Sequence, residues 1–70
     1  MENIMLSKSE AIDAVDSGHR VRHRLFTTGE FVEKGFLKDL IFEDGVQCSW
    51  NEFWKYRQIE AWDTGWELIF

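Results

Sequence analysis

The chain has 70 residues, with 8 Lys and Arg against 13 Asp and Glu, a formal charge of −5 and a pI near 4.8. That length holds one domain, read as residues 1–70, and the acidic balance argues against a general binder of long nucleic acids. No apolar run is long enough to span a membrane, no basic-then-apolar leader opens the sequence, and Cys48 stands alone, which leaves neither a disulfide framework nor a Cys-based zinc site.

Ser7-Lys8-Ser9-Glu10 has the form of a capping box, and Ala11, Ile12 and Val15 follow at helical spacing, which predicts a helix from Ser9 to Ser17 stopped by Gly18. His19 to Phe26 alternates with a period of two. Val21, His23 and Leu25 fall to one side and Arg20, Arg22 and Arg24 to the other, the pattern of a strand. Thr27-Thr28-Gly29-Glu30 reads as a turn and Phe31-Val32 as a short strand. Leu37 to Phe42 is the next expected strand, and Glu43-Asp44-Gly45 turns it back into Val46-Gln47-Cys48.

Ser49-Trp50-Asn51-Glu52 is a second capping box, opening a helix that runs to Arg57. Ile59 to Asp63 connects, with Trp62 turned inward, and Gly65 precedes a terminal strand from Trp66 to Phe70. The fold class expected is α+β: a small antiparallel β-sheet with two short helices in a single compact domain. Four Trp, six Phe and one Tyr supply most of its core. They are more rings than so small an interior hides easily, so some are expected to line a pocket or an interface between copies in a homo-oligomer.

Three constellations could carry chemistry. Residues 19–24 hold three Arg, two His and no acid, a local charge of +3 in a chain of −5. Arg20, Arg22 and Arg24 on one strand face form either an anion site or a solvated face paired with the abundant carboxylates. His23 lies on the Val21 face, as a core histidine or as a group reaching a ligand beside the Arg stripe. A general base would need a nucleophile and an orienting acid that the sequence does not pick out, so no catalytic residue and no enzyme activity is expected. His19 and His23 stand about 13 Å apart on a strand at about 3.3 Å per residue, too far to share a metal, and no cofactor is implied. The second constellation is Trp50, Phe53, Trp54 and Tyr56 around the second helix: core, or a wall on which Trp50 and Trp54 stack a nucleobase. The third is the acid itself, from Glu30 to Glu67. On one face it would imitate a phosphate backbone; its even spacing in sequence points to solubility instead.

The run Ser9-Glu10-Ala11-Ile12-Asp13-Ala14-Val15, then Gly18-His19-Arg20-Val21-Arg22-His23 and the aromatic Phe26, resembles the opening of a family of small bacteriophage proteins, E-A-L-x-x-L-x-x-G-K-x-V-x-R-x-x-W. Asp63-Thr64-Gly65-Trp66-Glu67-Leu68 resembles its close. His23 stands where that family has Arg, Phe26 where it has Trp, and the middle is shorter. Members include the second family of Thoeris anti-defence proteins, oligomeric sponges for cyclic nucleotide-like immune signals. The resemblance implies a phage accessory protein in the host cytoplasm that acts by binding, a counter-defence protein sequestering an anionic nucleotide-like ligand through Arg20, Arg22, Arg24 and His23 with Trp50 and Trp54. The alternative is an inhibitor that docks on a host or defence protein through an acidic surface.

Overall fold

A computed structural model describes residues 5–35 and 39–69. Helix α1 (Lys8–Asp16) opens on a complete capping box: the Ser7 hydroxyl accepts from the Glu10 amide at 3.1 Å and the Glu10 carboxylate accepts from the Ser7 amide at 2.9 Å. It closes in a Schellman motif, with Gly18 N–H donating to the Val15 carbonyl and His19 N–H to that of Ala14. Gly18 takes φ of +94°, where a Cβ would be strained. One short stretch of sequence thus fixes both ends of the helix.

The strands are β1 (Arg20–His23), β2 (Val32–Lys34), β3 (Leu40–Phe42), β4 (Gln47–Cys48) and β5 (Trp66–Ile69). They form one antiparallel sheet in the order β4-β3-β2-β1-β5. The expected α+β class is the observed one. The β3–β4 hairpin turns at Glu43-Asp44-Gly45, closed by Phe42 N–H to the Val46 carbonyl and by the Asp44 carboxylate accepting from the Val46 amide. The strand expected from Leu37 begins, within the described residues, at Leu40, while Leu37 and Lys38 lie outside them, as does Phe70 at the end of the terminal strand.

Helix α2 (Trp50–Lys55) is capped by the Ser49 hydroxyl, which accepts from the Glu52 amide at 3.1 Å, and it stops one residue short of Tyr56 rather than at Arg57. A 3₁₀ turn, Glu60–Trp62, forms where a plain connection was expected. Register assigns the two sheet faces: Val21, Val32 and Phe42 share one row, and His23 sits opposite Trp66. Both helices cover that inner face. Ala11 and Val15 of α1 and Phe53 and Trp54 of α2 close a core with Val21, Phe26, Val32, Leu40 and Trp66. The outer face carries Arg20, Arg22, Glu33 and Glu67 with Phe31, Ile41 and Ile69 between them.

Alternation along β1 ends earlier than the sequence pattern suggests. Leu25, expected inward, is exposed, and Phe26 is buried in its place. The Phe26 amide turns back to the His23 carbonyl at 2.8 Å, and the Leu25 amide donates to Nδ1 of the His23 ring. A local side-chain hydrogen bond replaces a ladder bond there, and the strand stops.

Candidate functional site

The residues singled out as a nucleotide site do not converge. Arg20 binds Glu33 through Nε and lies over the Phe31 ring, 4.8 Å from its centroid. Arg22 reaches Glu67 at 3.4 Å and the Phe26 carbonyl at 3.3 Å. Two of the three guanidinium groups are therefore partnered within the outer face, as a paired solvated face would be. Arg24 is exposed and makes no ion pair among the described residues.

Trp50 and Trp54 belong to the helical layer, on the other side of the sheet from Arg20 and Arg22. Trp54 is buried against Trp66, with centroids 5.3 Å apart, so it offers no face for stacking. Trp50 is half-buried and meets Trp54 edge-on at 6.0 Å. His23 is completely buried and both of its ring nitrogens are occupied within the fold. Burial pulls its pKa down, the carbonyls of Thr64 and Ala61 oppose that, and Arg24 and Arg22 reinforce it. Of the six residues drawn from sequence, Arg20 and Arg22 lie on one side of the sheet and His23, Trp50 and Trp54 on the other.

Arg57 is tied into the aromatic core, its guanidinium over the Phe53 ring. Burial pulls its pKa down, with Cys48 and Glu30 opposing, and Nη1 donates to the Phe53 carbonyl at 3.0 Å. Lys55 remains exposed at the end of α2.

What does converge is acidic. Asp13 and Asp16 on α1 and Asp39 ahead of β3 line a cleft of about 520 Å³, with Ile12, Trp50, Ser49 and Asn51 completing it. A second hollow of about 430 Å³ shares Ile12 and Asp13 and continues along α1 to Asp63. The two make one trough with a half-buried aliphatic and an indole among four carboxylates. Among the described residues, Lys8, which also lines the second hollow, donates Nζ to the Arg57 carbonyl at 2.8 Å, and Lys34 Nζ donates to the Asp16 carbonyl at 3.2 Å. The C-terminal end of α1 adds the negative pole of its dipole, with no basic residue in the last turn.

Of the acids from Glu30 to Glu67, Asp39 and Asp63 line these hollows. Asp39 and Asp63 belong to the acidic stretch read from sequence, whereas Asp13 and Asp16, one helical turn apart on α1, lie outside it and were missed; tertiary folding brings the two pairs together beside Trp50. Among the described residues no three His, Cys, Asp or Glu side chains are placed to hold a metal ion, and no helix is long and apolar enough to cross a membrane. The arrangement suits a cationic group with some apolar character, held by carboxylates and laid against an indole. Comparison with protein-family models, with curated proteins and with solved structures found no match.

Proposed function

We propose that this chain is a small binding protein that docks on a partner protein through its acidic trough, taking a basic segment of that partner. The observation that carries this reading is the convergence of Asp13, Asp16, Asp39 and Asp63 with Ile12 and Trp50 along one side of α1. Carboxylates steer and orient a basic segment, and the indole offers a cation–π face to Arg or Lys. Inhibition of a host or defence factor by occupying its basic surface is the activity such a trough supports.

A fluorescent peptide with spaced arginines and one leucine tests it. Binding that weakens with salt, and weakens much further in Asp13→Asn/Asp39→Asn than in the charge-matched Glu43→Gln/Glu60→Gln, supports the trough. Equal losses in the two variants would assign the binding to net charge alone and end the proposal.

A second reading rests on the resemblance to the anti-defence sponges and on Arg24, which has no ion-pair partner among the described residues. It is sequestration of an anionic nucleotide-like signal on the outer face. A thermal-shift panel of cyclic dinucleotides and cyclic ADP-ribose isomers decides it, because ligand at about 100 times its dissociation constant stabilises by about 2.7 kcal/mol. No shift across the panel removes it.

A further inference from the structure

We propose that His23 is a pH-sensitive latch: its neutral ring holds the turn after β1 against the turn before β5, and protonation of the ring releases both.

The geometry admits one protonation state. Nε2 lies 2.6 Å from the Thr64 carbonyl, which can only accept, so Nε2 carries the hydrogen. The Leu25 amide donates to Nδ1 at 3.0 Å, so Nδ1 carries none. The ring is completely buried, with Trp62 at 4.4 Å and Trp66 at 4.9 Å between centroids and Phe26 at 6.4 Å. The turn before β5 is pressed against it, since a Cβ on Gly65 would stand 3.1 Å from Nε2. A second proton belongs on Nδ1, where it faces the Leu25 N–H. Two donors then point at each other, and either the ring or the Leu25 turn has to move.

Among the described residues no acidic side chain is placed to rescue the imidazolium. Arg22 and Arg24 flank it on its own strand and disfavour the positive form. Arg57 lies beyond the rings of Phe26 and Trp62. From β5, Glu67 is engaged with Arg22 on the outer face. From the loop after β1, Glu30 is engaged with the Thr27 amide and hydroxyl. From the 3₁₀ segment, Glu60 and Asp63 are exposed; the polar groups that meet the ring are the Thr64 carbonyl and the Leu25 amide, and the Ala61 carbonyl, like that of Thr64, favours the charged form without outweighing burial.

The folded ring therefore holds its proton less tightly than the unfolded one. The open state takes up more protons as pH falls below about 6.5, so the latch is fully closed above that value and weakens below it. Release frees the Leu25–Phe26 turn and the Asp63–Gly65 turn, and with them the Trp62 ring. The β2–β3–β4 ladder makes no bond to His23 and stays paired.

The test is ¹⁵N NMR of the His23 ring together with amide exchange, from about pH 8 to about pH 5. Expected are an Nε2–H tautomer at high pH and, after correction for intrinsic exchange, an opening of the Leu25 amide that rises up to about tenfold per pH unit below 6.5, while Glu33 and Ile41 amides keep their protection. His23→Gln, whose amide can accept from Leu25 and donate to Thr64, should lose the pH dependence; His19→Gln should keep it. Where His23→Gln does not fold, the ring tautomer and the amide pattern of the unaltered chain decide alone. Ring titration near 6.5 with no change at Leu25, loss of Glu33 and Ile41 protection in step with Leu25, or an unchanged acid response in a folded His23→Gln would each overturn the latch.

Discussion

The Arg57 guanidinium carbon stands 3.8 Å from the centre of the Phe53 ring, with Trp62 at 5.0 Å and Phe26 at 5.9 Å. One side chain thereby joins α2, the loop after β1 and the 3₁₀ turn, while its own carbonyl receives Lys8 from the start of α1. A partly desolvated cation–π contact contributes about 0.5–2 kcal/mol, and the methylene stem packs as an apolar group. Opposing this, Nε is buried without a hydrogen-bond partner. Arg57→Ala is expected to lower stability in urea by about 1–3 kcal/mol, and Arg57→Met, which keeps the stem and sheds the buried charge, by about half as much. Equal stability of all three chains would show that the rings pack without the guanidinium.

Gly65 and Gly18 allow backbone strain to be separated from steric contact. Their φ values, +92° and +94°, are nearly equal, so alanine meets the same backbone penalty at each. At Gly18 a Cβ enters open space, whereas at Gly65 it would stand 3.1 Å from His23 Nε2 and 3.2 Å from the Arg24 stem. Gly18→Ala is expected to cost about 1 kcal/mol and Gly65→Ala about 2–4 kcal/mol. Thermal unfolding of the pair reads the difference, and similar melting temperatures would mean that the turn yields readily around His23.

These local features were the legible part of the fold. Ser7 with Glu10, Gly18, Asp44-Gly45 and Ser49 act within a few residues, so sequence alone places α1, the β3–β4 turn and the start of α2. The α+β class follows from their order. Most of the failures lie in contacts between elements. The exception is at Leu25, where the His23 ring two residues back takes the amide and ends the strand, a local bond that strand periodicity does not show. Arg57 reads as surface charge because the rings that receive it lie at positions 26, 53 and 62. Arg20, Arg22, Trp50 and Trp54 have the chemistry of a nucleotide site but lie on both sides of one sheet, and periodicity within an element cannot say which face another element covers.

The outer-face ion pairs should matter little to stability. Side chains of Arg20 and Glu33 remain 53% and 33% exposed, and water screens them. Arg20→Gln is expected to change stability by less than about 1 kcal/mol, with a coupling to Glu33→Gln of about 0.2–1 kcal/mol in a double-mutant cycle. Arg22 and Glu67 are less exposed, at 23% and 28%, so their coupling should lie at the upper end of that range. A larger coupling at Arg20 would mean that its place over Phe31 holds the guanidinium more rigidly than an exposed pair allows.

Asp13 and Asp16 set local stability against the trough. Both sit toward the negative end of the α1 dipole, one turn apart, where like charges repel. Asp16 is offset by Lys34 at 3.4 Å, while Asp13 has no ion-pair partner among the described residues. Asp13→Asn should therefore stabilise the chain, by about 0.3–1 kcal/mol and a few degrees in Tm. The same change removes a carboxylate shared by both halves of the trough, so binding of the arginine-containing peptide should weaken. A more stable chain that binds less well is what a helix end adapted to a cationic partner predicts. A more stable chain with unchanged binding would instead leave Asp13 as an ordinary surface charge and move the docking site away from α1.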